Sequence, residues 1–91
     1  MKVEENEYLI IYLGHNITSL LYQRLLKRSC RVDSVSTPTR IYSGCSHAIR
    51  FKETYMDIVI EEIGNINIKP KGLYRIVKNG RLESYEKIKL K

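Results

Sequence analysis

The stretch from Thr37 to Phe51, TPTRIYSGCSHAIRF, holds the side chains best suited to chemistry: the thiol of Cys45, the imidazole of His47, and the guanidinium groups of Arg40 and Arg50. Arg40 and Arg50 lie five residues either side of Cys45. If the chain folds back at Gly44, either one can approach the sulfur and favour its thiolate, which is the nucleophilic form. Pro38 fixes its own φ and biases Thr37 away from the helical region, and Gly44 permits a tight turn just before the sulfur. Ser43, Gly44 and Ser46 bring little apolar bulk, and successive turn amides can cradle an anion. His47 is positioned to accept a proton if extended backbone begins at Cys45, because residues two apart on a strand share a face. The bland alternative is that Cys45 is a small buried hydrophobe, the commoner role of a free cysteine.

The elements that must position this loop are written in the hydrophobic pattern. Tyr8 to Leu13 is apolar without a break and suits a central strand, ended by Gly14. His15 or Asn16 is expected to cap a helix whose apolar stripe is Ile17, Leu20, Leu21 and Leu25, with Lys27 and Arg28 at its negative end. Cys30 follows at the helix end and is expected to pack rather than to act as a resolving thiol. Val32, Val35 and Thr37 mark a second strand and His47 to Phe51 a third. Thr54 to Asp57 matches a helix-start capping pattern, Tyr55, Ile58, Val59, Glu62 and Ile63 recur at helical spacing, and Gly64 is the expected stop.

Asn65 to Lys71 reads as a linker and Gly72 to Lys78 as a fourth strand. Asn79 and Gly80 then signal a two-residue hairpin. Arg81 to Lys91, with Leu82, Ile88 and Leu90 on one face, suits a fifth, edge strand, a short helix or a tail. The order strand, helix, strand, strand, helix, strand predicts an α+β two-layer sandwich of ferredoxin-like βαββαβ topology. Two helices cover one face of its antiparallel sheet, and the first and third strands are interior.

The 91 residues fit one domain, with a core over about 7–78 and a hairpin extension or tail over 79–91. Sixteen Lys and Arg against ten Asp and Glu leave a net charge of +6, suited to an acidic protein, an anionic metabolite or nucleic acid. Five of the sixteen cations, Lys78, Arg81, Lys87, Lys89 and Lys91, fall in the last fourteen residues, where a solvated tail is the simplest account. The adjacent carboxylates Glu4 with Glu5 and Glu61 with Glu62 point apart on regular structure and read as solvated charges. Two cysteines and no apolar leader argue for a reducing, cytoplasmic setting. The apolar run from Tyr8 to Leu13 is too short to span a bilayer.

Read together, Pro38 and Arg40, Ser43-Gly44-Cys45, and Ala48-Ile49-Arg50-Phe51, on this order of elements, resemble the selenium/sulfur carrier-like domains over about Tyr8 to Val77. That resemblance implies Cys45 as the carrier residue. The family pattern usually has two prolines before the arginine and a glycine after the cysteine, where this chain has Ser36 with Pro38 and Ser46. The chemistry implied is a thiolate that accepts and passes on persulfide-type sulfur or selenium. Arg40, Arg50 and His47 would surround the sulfur, and Ser43, Gly44 and Ser46 would orient it. The partners implied are donor and acceptor proteins, with a carrier or accessory role in preference to that of a turnover enzyme, and with no cofactor.

Three other readings were weighed. A non-catalytic module could bind protein or RNA through its basic surface and tyrosines, with Tyr74 and Arg75 the suggestive pair, although the RNA-recognition signature is absent. A metal could take His15, Cys30, Cys45 and His47, but the usual paired spacings are missing. Hydrolysis by a Cys/His pair lacks a third orienting residue.

Overall fold

A strand with no polar face must be covered on both sides, and that requirement organises the fold. In a computed structural model that describes residues 6–12, 14–42 and 46–89, β1 (Glu7–Tyr12) is the middle strand of a five-stranded sheet. The other elements are α1 (His15–Lys27), β2 (Asp33–Ser36), β3 (His47–Lys52), a 3-10 turn (Glu53–Tyr55), α2 (Met56–Ile66), β4 (Gly72–Asn79) and β5 (Leu82–Ile88). The strand order is β2-β3-β1-β4-β5, and every neighbouring pair is antiparallel. The architecture is α+β, with the first and third strands interior as the sequence predicts. Expectations placed on Leu13, Ser43, Gly44, Cys45, Leu90, Lys91, Glu4 and Glu5 lie outside the described residues.

Alternation along β1 divides the apolar residues between two layers. Tyr8, Ile10 and Tyr12 meet Ile49 and Phe51 of β3, Leu73 of β4, and Leu21, Leu25 and Val59 of the helices in the main core. Tyr8 stacks on Phe51 at 5.7 Å between ring centroids. Leu9 and Ile11 join Ala48 and Ile76 on the opposite face, where Ile41, Tyr74, Tyr85 and Val35 pack against them in place of a helix. Truncating Phe51 or Leu21 in the main core would cost about 3–5 kcal/mol.

Several element ends differ from the sequence pattern, each for a local reason. Gly14, not His15 or Asn16, is the N-cap of α1, without a side-chain cap, and Thr18 Oγ donates to the Gly14 carbonyl at 3.1 Å. Leu20 is exposed, and Thr18 takes its place on the buried stripe with Leu21 and Leu25. The helix α2 is entered through the 3-10 turn, with Tyr55 as its N-cap, rather than by a Thr54 to Asp57 capping box. It runs through Gly64, because Ile66 still packs on the core and Asn67 adopts the left-handed conformation (φ 59°) that closes the helix. The hairpin loop is Gly80 and Arg81, since Asn79 pairs with Leu82, and Gly80 supplies the positive φ of 62°. The chain beyond it is a strand, although Leu82 is 66% exposed and contributes little to its packing.

Antiparallel registry gives the sheet two ends of different character. Tyr12 pairs with His47, Ile11 with Gly72, Leu73 with Ile88 and Ser36 with His47, so these residues share the Tyr12 end. Glu7 pairs with Lys52 and Ile76, and Asn79 with Leu82, at the Glu7 end. Helix α1 starts at the Tyr12 end and carries the chain about 20 Å to the other, while α2 runs back. No helix of the described residues is long and apolar enough to cross a membrane.

Candidate functional site

The loop that the sequence marks for chemistry leaves β2 and returns to β3 at the Tyr12 end. Its neck is closed twice between Thr37 and Ser46. The Thr37 amide donates to the Ser46 carbonyl at 3.1 Å, and the Ser46 hydroxyl donates to Thr37 Oγ at 2.7 Å. Thr37 is buried, so its hydroxyl needs that partner. The first arm of the loop, Pro38 to Tyr42, is a turn in which the Ile41 and Tyr42 amides donate to the Pro38 carbonyl. Ile41 packs on the second apolar layer, so this arm lies against the open face of the sheet. Ser43, Gly44 and Cys45 lie outside the described residues, and Ser46 follows them directly.

The three side chains proposed around the sulfur, Arg40, His47 and Arg50, divide between the two faces. His47 and Arg50 are three apart on β3, an odd spacing that sends them to opposite sides. His47 is exposed and lies on the helix side, where its ring meets that of His15 edge-on at 5.1 Å. His15 is the first residue of α1, so the two imidazoles sit at the helix N-terminus. Arg50 lies on the open face and is held there: Nε and Nη2 donate to the two Glu7 oxygens at 3.1 Å each, and Nη2 reaches Glu83 at 3.3 Å. Lys78 also contacts Glu7 at 3.3 Å, and Arg50 holds the Glu7 carboxyl below its ordinary range.

Arg40 is exposed and lines a shallow open-face hollow with Ile41, Tyr74, Ser84 and Tyr85. Burial pushes the Tyr85 phenol up, aided by Glu83 and opposed by Arg50 and Arg40. The two arginines therefore gather around Tyr85, while His47 belongs with His15.

Cys30 is a packing residue, only 2% exposed, with its thiol pushed up by burial. It follows α1 and so lies at the Glu7 end, whereas a disulfide requires Cα atoms within about 7 Å. Among the described residues no group of three or more His, Cys, Asp or Glu is placed to hold a metal ion. Tyr74 is half-buried on the open face, and Arg75 pairs with Glu86 at 3.2 Å. Glu62, read from sequence as a solvated charge, is instead 4% exposed. It accepts from Arg24 at 2.6 Å and from Arg28 at 2.9 Å, and Arg24 above all holds its carboxyl below the ordinary range.

Sequence reasoning missed three features. His15 was read as a helix cap, yet it is the only other histidine in the chain and stands directly after Gly14. Thr37 as the partner of Ser46 carries no sequence signal. The third is a sorting of charge. Glu7, Glu53, Asp57, Glu83 and Glu86 lie toward the Glu7 end, and Asp33, Glu61 and Glu62 nearer the middle, so no described carboxylate stands at the Tyr12 end. That end carries Lys69, Lys71 and Lys89, with Lys87 at mid-sheet, and none of the four has an ion-pair partner among the described residues.

The described residues form a small α+β domain, two helices against a five-stranded antiparallel sheet. The chain belongs to the family described as "Putative Se/S carrier protein-like", which it matches over residues 7–75. The comparisons with curated proteins and with solved structures returned no match.

Proposed function

We propose that the protein is a sulfur or selenium carrier in which Cys45 bears the transferred atom. The observation that carries the reading is the electrostatic character of the Tyr12 end. Near Ser46, the neighbour of Cys45, stand the α1 N-terminus and two imidazoles, and no described carboxylate lies at that end of the sheet. Each of these favours a thiolate over a thiol. His47, with His15 behind it, serves as the proton acceptor. Of the two arginines, Arg40 is free of carboxylates among the described residues, while Arg50 anchors the open face through Glu7 and Glu83. Ser43, Gly44 and Ser46 orient the sulfur.

In the loading step the Cys45 thiolate attacks the outer sulfur of a donor persulfide. A new S–S bond forms at Cys45, the donor S–S bond breaks, and its electron pair leaves with the donor thiolate, so no external oxidant is consumed. An acceptor thiolate then takes the outer atom and releases the Cys45 thiolate. The strand order β2-β3-β1-β4 with two helices on one face supports the ferredoxin-like reading, to which β5 adds an edge strand, and residues 1–91 are taken as one domain. Whole-protein mass spectrometry after treatment with a small-molecule persulfide donor should find one thiol-labile sulfur adduct at Cys45. A folded Cys45→Ser variant that gains the same adduct would overturn the assignment.

A further inference from the structure

Unpaired lysines border a depression that the carrier chemistry does not use. It lies between the second half of α2 and the start of β4 with the end of β5, and encloses about 440 Å³. Its floor is aliphatic, formed by Ile60, Ile63, Leu73 and Ile88, and its rim carries Lys69 and Lys71, while Lys87 and Lys89 border it from either side of Ile88, where alternation turns their side chains toward the other face of the edge strand. Ile60 is 42% exposed, on the solvent side of α2 with Asp57, Glu61 and Gly64, so this apolar surface is open. At Gly64 an added Cβ would meet nothing within 4 Å, which leaves the helix wall low at the middle of the depression.

We propose that this groove docks an acidic segment of a partner protein bearing an aliphatic anchor side chain. Charge complementarity argues for that occupant. The rim cations have no carboxylate among the described residues to neutralise them, so an approaching acidic chain displaces no internal ion pair. The lining contains no aromatic ring on which a base could stack. The volume falls in the range that ordinarily takes a small ligand, ~300–1,000 Å³, and is roomy for an aliphatic anchor. The inference deepens the carrier reading and rests on it for the partner's identity as donor or acceptor. Groove and loop share one end of the sheet, with β4 only two strand spacings, about 10 Å, from β3, where the loop rejoins the sheet.

The test titrates the isotopically labelled full chain with a short synthetic peptide of leucines set among glutamates, and with its glutamine counterpart. The glutamate peptide should give saturable NMR shifts centred on Ile60, Ile63, Leu73 and Ile88, and should bind at least ~10-fold more weakly to a Lys69→Glu, Lys71→Glu variant. Gly64→Leu, which fills the groove without altering charge, should bind ~10-fold more weakly as well. Absence of saturable shifts, equal binding of the glutamine peptide, or shifts centred on Tyr85 would overturn the proposal. So would preferential occupation of the groove by an oligonucleotide, by anionic phospholipid vesicles or by a second copy of the chain. Cys45→Ser should dock the peptide as the parent does. Loss of sulfur loading with docking intact therefore removes the carrier reading alone, and loss of docking with loading intact removes this inference alone.

Discussion

The two ends of the sheet handle charge in opposite ways. Toward the Glu7 end the carboxylates are paired with cations: Glu7 with Arg50 and Lys78, Glu83 with Arg50, and the buried Glu62 with Arg24 and Arg28, while Lys27, Arg31, Lys52 and Arg81 there make no ion pair among the described residues. The cysteine there, Cys30, is sealed in the core with its thiol pushed up. At the Tyr12 end the described cations stand unmatched, the histidines pair with one another, and α1 presents its N-terminus without a side-chain cap. One end uses ion pairs to hold the fold; the other keeps a positive field for an anion that comes from elsewhere.

If that contrast is sound, removing charge at the two ends should have unequal consequences. The largest is expected at Glu62. Its replacement by Ala removes charge-assisted hydrogen bonds from a carboxylate that is 4% exposed. Because Arg24 and Arg28 are partly exposed and can regain water, the cost is discounted to about 2 kcal/mol, read as a lower thermal midpoint in calorimetry. Acid should act in the same direction. Glu62 and Glu7 both have folded values below their unfolded ones, so their contribution is complete above the unfolded carboxylate pKa of about 4.3 and is lost as pH falls through the folded values. Denaturant titrations on either side of that range should show the drop, and Glu62→Gln should flatten it; an unchanged acid limb in that variant would contradict the assignment.

Gly64→Ala is expected to raise stability by about 0.5–1 kcal/mol, since the site is helical with open space for a Cβ. A destabilised Gly64→Ala would mean that the groove wall is more constrained than its geometry implies. The smallest effect belongs to the other end. Lys69→Gln should shift stability by no more than about 0.5 kcal/mol, because no ion pair is lost among the described residues, and a cost comparable with that at Glu62 would erase the contrast.

The sequence announced the parts of the fold that local pattern controls. Tyr8 to Leu13 read as a central strand because a run covered on both faces has no polar alternation, and the hairpin was visible in Asn79 and Gly80. Helix ends were less legible. Gly64 looked like a stop, but the apolar Ile66 beyond it draws the helix on, and Asn67 ends it. The charge sorting was hidden because its partners are far apart in the chain, with 43 residues between Arg50 and Glu7 and 33 between Arg50 and Glu83. Only the strand order gathers the carboxylates to one side. Lys87 and Lys89 accordingly read as tail solvation until β5 set Lys87 across from Tyr74 and brought both to the groove that Lys69 and Lys71 also line.

The most direct test is the alkylation of the two cysteines in the native protein as a function of pH, each followed separately by peptide mass mapping. Cys45 should react with an apparent pKa below the ordinary thiol value of about 8.5, while Cys30 stays inert until the protein unfolds. A Cys45 that reacts no faster than in the unfolded chain, or a Cys30 that reacts first, would contradict the account.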